Sequence, residues 1–159
     1  MKRTAFTLIE LIFVIVVLGI LAAVAIPKLG GTVISAQIAK AQGDVAAIRA
    51  SIASARQKLL VTGRNAYPTA LDQLGANSVE GNTLFDQNGT DAQVTANTAV
   101  RILTYPIYAG ASTSTGKWYK LDGNYNFTVD ETPVTFTYTP ATGLFDCVHT
   151  EDFCQRITE

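Results

Sequence analysis

The rhythm of hydrophobic and polar positions changes three times along the chain. From Leu11 to Ile26 every side chain is apolar or absent, and between Phe6 and Ile26 the one charged residue is Glu10. Ile34, Ile38, Ala41, Val45, Ile48, Ile52, Ala55 and Leu59 then recur at alternating steps of four and three, which is one face of a helix. Gln37, Lys40, Asp44, Arg49, Arg56 and Lys58 fall off that face, and Gly63 supplies a stop signal. Farther on the period drops to two, through Trp118–Leu121, Tyr125–Val129 and Val134–Tyr138. Asp122-Gly123-Asn124 and Asp130–Pro133 punctuate these runs as turns, so a small antiparallel meander is predicted, with one face against the amphipathic helix.

The segments between are weaker. Tyr67–Leu74 reads as a turn followed by a short helix, with Thr69 as N-cap and Asp72 in the capping-box position. Gly75–Asn97 is rich in Asn, Gly, Asp, Thr and Ala and predicts a long connecting loop. Arg101–Tyr108 offers a further strand, which Pro106 confines to an edge or an irregular piece. In the helical stretch, Pro27 removes one backbone bond and Gly30-Gly31 follow closely. A kink is expected there, or a hinge between two helices with Thr32 as the second N-cap.

The apolar run is long enough for a membrane, since the helix from Phe6 to Ile26 measures about 31 Å. Lys2 and Arg3 precede it and belong on the cytoplasmic side, which sends the bulk of the chain across. A secretory signal peptide is one alternative, because Ala23-Val24-Ala25 is an A-x-A-like cleavage site. A plain single-span anchor with an incidental Glu10 is another. Against the first stand the length of the run and the carboxylate within it.

Ala5-Phe6-Thr7-Leu8-Ile9-Glu10-Leu11-Ile12 resembles the prepilin signature of type IV pilins and type II secretion pseudopilins. The resemblance implies cleavage between Ala5 and Phe6 by prepilin peptidase, N-methylation of Phe6, and later extraction into a helical filament. The family usually has glycine before the cut, where this chain has the small Ala5. It also implies an α+β, pilin-like fold, in which a long spine helix with a membrane half and an amphipathic half packs on a small antiparallel sheet head. Gly19 and Pro27 sit where related spines also carry these residues, and there the intervening segment extends in the filament. The Tyr67-Pro68-Thr69 step resembles the one after the spine helix in pseudopilins.

Glu10 gives the resemblance a physical basis. A carboxylate in hydrocarbon costs about 2.5 to 3.5 kcal/mol on insertion scales, and no Lys or Arg lies between Arg3 and Lys28. After cleavage the Phe6 α-amino group, with a reference pKa of roughly 7.7 to 8.0, is the one cation at that depth. Within one chain the two groups are a single helical turn apart. Between neighbouring subunits the same pair would set the stagger of the filament.

Composition narrows the remaining chemistry. Twelve basic and thirteen acidic residues leave a net charge of -1, without the basic excess that grips nucleic acid. Two cysteines and one histidine exclude most multi-ligand zinc and iron–sulfur sites. Cys147 and Cys154 close a short loop in a head that the topology places in an oxidising compartment, so a disulfide is expected, worth about 2.5 kcal/mol by loop entropy. Free thiols are the alternative. Many type IV pilins tie down a C-terminal region in this way, whereas major pseudopilins usually do without it.

His149 beside Asp146, Glu151 and Asp152 reads as a solvated acidic loop or, less simply, as cation ligands. Calcium in the head, as in some pseudopilins, has no assignable ligands, and no other cofactor is indicated. Trp118, Tyr119 and Tyr125 could stack on a sugar or base, but alternating strand aromatics more often form core. No nucleophile elbow, phosphate loop or zinc-protease motif is present, so no catalytic residue is assigned.

The expected organisation is a leader over 1–5, a transmembrane half over 6–26, an amphipathic half over 27–63 and a head over 64–159. The expected role is a structural subunit that leaves the inner membrane for a pseudopilus or pilus. Its partners would be other pilin-like subunits, prepilin peptidase, an assembly platform and lipid. A membrane-anchored periplasmic binding module is the competing reading.

Overall fold

The computed structural model describes residues 7–96 and 99–159, with backbone alone at 27–30, 91 and 95. The cleavage and methylation positions, Ala5 and Phe6, lie outside the described residues, as does Asn97 at the end of the expected loop. The chain divides into two compact units, Met1–Ala36 and Gln37–Glu159.

Helix α1 runs Leu8–Val61 without interruption, through Pro27 and Gly30-Gly31. The alternative of two helices joined by a hinge, with Thr32 as a second N-cap, is therefore not realised. One proline removes a single backbone bond, while helix propagates on both sides of it. The helix stops as Gly63 requires. Gly63 takes φ +79°, its N–H donates to the Leu60 carbonyl at 3.0 Å, and the Arg64 N–H donates to the Leu59 carbonyl at 2.9 Å. Both bonds of the Schellman motif are thus made.

In the second unit the predicted stripe is the buried one: Ile38, Ala41, Val45, Ile48, Ile52, Ala55 and Leu59 are all buried, whereas Ile34, its first expected member, is only half-buried. They pack with a four-stranded antiparallel meander of order β3-β4-β5-β6, built from Trp118–Leu121, Asn124–Val129, Thr132–Thr139 and Leu144–Cys147. The β3–β4 turn places Asp122 and Gly123 at positive φ, and the β4–β5 turn does so with Asp130 and Glu131. These are the two-residue turns whose twist suits a hairpin. Register puts Trp118 opposite Phe127 and Tyr125 opposite Phe136, so the large side chains share one face. Phe85, Trp118, Phe127, Phe136 and Phe145 form its fully buried aromatic centre. Phe136 stacks on Phe145 at 5.3 Å, and Phe85 stacks on Tyr125 at 4.5 Å.

Two expectations need correction. No helix follows Thr69. The Asp72 carboxylate accepts the Leu74 N–H at 3.0 Å and the Lys120 ammonium at 2.8 Å, so a tertiary ion pair takes the group assigned to a capping box. The Gly75–Asn97 stretch is not merely a loop. It contains β1, Thr83–Leu84, and α2, Asp91–Thr95, whose N-cap Thr90 and Gln93 complete a reciprocal capping box. Arg101–Tyr108 is, as Pro106 implied, mostly irregular: only β2, Ile107–Tyr108, is a strand, at an edge and paired with β1, while Arg101 makes an isolated bridge to Gln87. Strand β6 and helix α3, Asp152–Thr158, carried no sequence expectation.

Candidate assembly site

In the first unit the chemistry sits at the first turn of α1. Thr7 occupies the cap position, its Oγ1 accepting the Glu10 N–H at 3.4 Å and its hydroxyl donating to Glu10 Oε2 at 3.5 Å. The Leu11 N–H donates to the Thr7 carbonyl at 3.3 Å. Thr7-Leu8-Ile9-Glu10 therefore behaves as the Thr-x-x-Glu start of a helix that leads into an apolar run. This signal was present in the sequence and is missed when Glu10 is weighed only as a buried charge. The geometry holds a carboxylate at the helix N-terminus, where the macrodipole favours negative charge.

From Thr7 to Ile26 every described side chain is exposed, and the helix is long and apolar enough to cross a membrane. Leu8, Ile9, Phe13 and Ile20 are each more than 60% accessible, a surface that water alone would not tolerate over such a length. Gly19 lies on it with nothing within 4 Å of where a Cβ would stand, so no close packing among the described residues explains that glycine.

In the second unit the named residues fall into the scaffold. Trp118, Tyr119 and Tyr125 are buried, which makes them core rather than a stacking platform. The Trp118 indole N–H donates to Asp44 Oδ2 on α1 at 2.9 Å. Lys120 and Asp72 form an ion pair at 8% and 0% side-chain exposure, with the ammonium 5.1 Å from the centre of the Tyr125 ring. Burial, reinforced by the Asp72 charge, pushes the Tyr125 hydroxyl far above its ordinary pKa of 10.0. Burial likewise raises Tyr138 to about 12, and its hydroxyl donates to the Pro68 carbonyl at 2.7 Å.

The Tyr67-Pro68 step is held from two sides. Arg56 donates to the Tyr67 hydroxyl at 2.8 Å, and the Tyr67 ring lies so close to Gly143, φ +73°, that a methyl group there would overlap it.

The Cys147–Cys154 disulfide forms and ties α3 to β6 with Cα atoms 5.9 Å apart. Beside it, Arg49 donates to the Phe145 carbonyl at 3.0 Å and to Asp146 Oδ1 at 2.9 Å, while His149 Nε2 lies 3.1 Å from Asp146 Oδ2. His149 is thus a partner of Asp146 in a bonded loop. Among the described residues no group of three or more His, Cys, Asp or Glu could hold a metal ion.

No curated protein and no solved structure matches the chain. Residues 1–26 match the family model described as the prokaryotic N-terminal methylation motif. From Thr7 onward that match falls on the capped apolar helix, and it gives the chain the N-terminal signature of type IV pilins and pseudopilins.

Proposed function

We propose that this chain is a structural subunit that is cut between Ala5 and Phe6, methylated on Phe6, and assembled from the inner membrane into a helical pseudopilus or pilus. The observation that carries this reading is the coincidence of the methylation motif over 1–26 with an apolar helix bare of intramolecular cover. Lipid covers that surface before assembly, and the corresponding helices of neighbouring subunits cover it afterwards. Burial at about 25 cal/mol per Å² provides the cohesion. Gly19 and Pro27 are the points at which the helix extends on entering the filament.

Glu10 supplies direction to a surface that is otherwise uniform. Its carboxylate takes the new Phe6 amine of a neighbour, which fixes the stagger that apolar contacts alone leave open. In the precursor the Thr7 hydroxyl partners the carboxylate meanwhile. A compact head favours a subunit serving secretion or DNA uptake over one of a long surface pilus. Prepilin peptidase and an inner-membrane assembly platform are the implied partners, and the head faces the periplasm.

N-terminal mass analysis of the protein purified from cells tests the first step. A chain beginning at N-methyl-Phe6 is the expected result. A start at Ile26, or an intact Met1, would remove the filament reading in favour of a secreted or anchored binding module. Glu10→Ala is expected to abolish polymer while leaving cleavage intact, and Glu10→Asp to retain part of it. Normal polymer from the Ala variant would rule out the register role.

A further inference from the structure

One buried hydroxyl of the head has no partner. Thr128 in β4 is 2% exposed, and its Oγ1 is enclosed without a hydrogen bond among the described residues. Such a group costs the fold stability and calls for a reason outside the packing. Thr128 alternates with Phe127 and Val129, which are buried in the aromatic core, so it points to the opposite face of the sheet. There, with Ser112, Thr113, Glu131 and Pro133, it lines a cavity of about 420 Å³. The side chains at the rim, Ser112, Thr113 and Glu131, are exposed and likewise make no hydrogen bond or ion pair among the described residues. Ser112 is shared with a neighbouring cavity of about 320 Å³ beside Leu121, and Pro133 with one of about 310 Å³ beside Phe153.

Charge decides which ligands fit. Among the described residues the one cation lining the three cavities is Lys120, and its ammonium is taken by Asp72 Oδ1 at 2.8 Å, whereas Glu80, Glu131, Glu151 and Asp152 all border them. Phosphates and acidic polymers are therefore repelled. No group of three or more His, Cys, Asp or Glu stands ready for a metal ion among the described residues. We infer that this run of cavities binds a neutral glycan chain, with one sugar ring held between Thr128, Glu131 and Pro133. Serine and threonine hydroxyls both donate and accept, as each sugar hydroxyl does. The Glu131 carboxylate takes two adjacent sugar hydroxyls in charge-assisted bonds, and the Pro133 ring offers an apolar wall to the C–H face. Shared lining at Ser112 and Pro133 gives room for further rings on either side. The site belongs to the head and is independent of the filament reading.

Amide chemical shifts of the full-length chain, in a zwitterionic detergent that contains no sugar, test it as cellotriose, maltotriose or the N-acetylglucosamine trimer is added. At least one trisaccharide is expected to move the Ser112, Thr113, Thr128 and Glu131 amides to saturation. Glu131→Ala should weaken that binding roughly tenfold, and Thr128→Val roughly fivefold. Thr128→Val should also leave the head's melting temperature unchanged or raised, since it replaces an unpaired buried hydroxyl by a methyl group. Three silent trisaccharides overturn the site, as do shifts confined to other amides or binding that Glu131→Ala leaves unchanged. A lower melting temperature in Thr128→Val shows that the hydroxyl has a structural partner, such as a buried water, and overturns it too. Equal shifts from calcium chloride or inorganic phosphate alone mark an ion site and count against the glycan. N-terminal mass analysis bears on the filament reading alone, so the two can fail separately.

Discussion

Two stretches of one helix present hydrophobic surface in opposite ways. From Leu8 to Ile26 apolar residues occupy every side and all are exposed, whereas from Ile38 to Leu59 the apolar residues larger than alanine occupy one face and all of that face is buried. The second stretch solves its solvation problem within the chain, against Trp118, Phe127 and the rest of the aromatic centre. The first has no such solution and needs lipid or another molecule. Polar groups follow the same division. Lys120 and Asp72 neutralise each other inside the head, while Glu10 has only the Thr7 hydroxyl among the described residues.

Substitutions can break this contrast, measured as head unfolding of the full chain in detergent. Trp118→Ala removes the centre of the aromatic cluster and its bond to Asp44, and should cost about 3 to 5 kcal/mol. Ile48→Ala, in the buried stripe, should cost about 2 to 5 kcal/mol, falling nearer the lower end if the helix relaxes toward the sheet. Opening the disulfide by replacing Cys147 and Cys154 with Ser should cost about 2.5 kcal/mol, seen as a lower denaturation midpoint.

The head's stability should also fall in alkali. Tyr125 and Tyr138 have folded-state pKa values above the unfolded value of 10.0, so their contribution is complete below that pH. It is lost as pH rises toward about 12, because the unfolded chain releases protons that the folded head retains. Tyr138→Phe should flatten that alkaline decline in a pH series of melts.

The smallest expected effect sharpens the comparison most. Leu18→Ala should change head unfolding by less than about 0.5 kcal/mol while weakening membrane retention and polymer yield. A loss of head stability from Leu18→Ala as large as that from Ile48→Ala would erase the distinction between the two stretches.

Much of this was legible in advance. The alternating steps of four and three from Ile38 to Leu59 named the buried face residue by residue, and Gly63 marked where the helix ends. Period two located β3, β4 and β5 within two residues at either end. Capping boxes show the limit of such reading. Thr90 and Gln93 form one and Thr7 with Glu10 approximates another, yet Thr69 and Asp72, of the same pattern, form none. The difference is Lys120, 48 residues farther on, which takes the Asp72 carboxylate. In strand β6 the adjacent apolar pair Leu144-Phe145 blurs the alternation, and α3 is held by a disulfide and by the burial of Cys154 and Ile157 rather than by strong propensity.

The order of residues alone determined that a membrane-grade helix bearing one carboxylate is followed by an amphipathic helix and, farther on, by paired strands. Those features are local, set by side-chain polarity at spacings of two, three and four residues. Only the tertiary structure decided which charges are consumed internally and which stay outward. Lys120 meets Asp72, Arg49 meets Asp146, and Lys58 and Glu131 remain on the surface. Charge pairing depends on distances of a few ångström between groups remote in sequence, and those distances exist only once the core has packed.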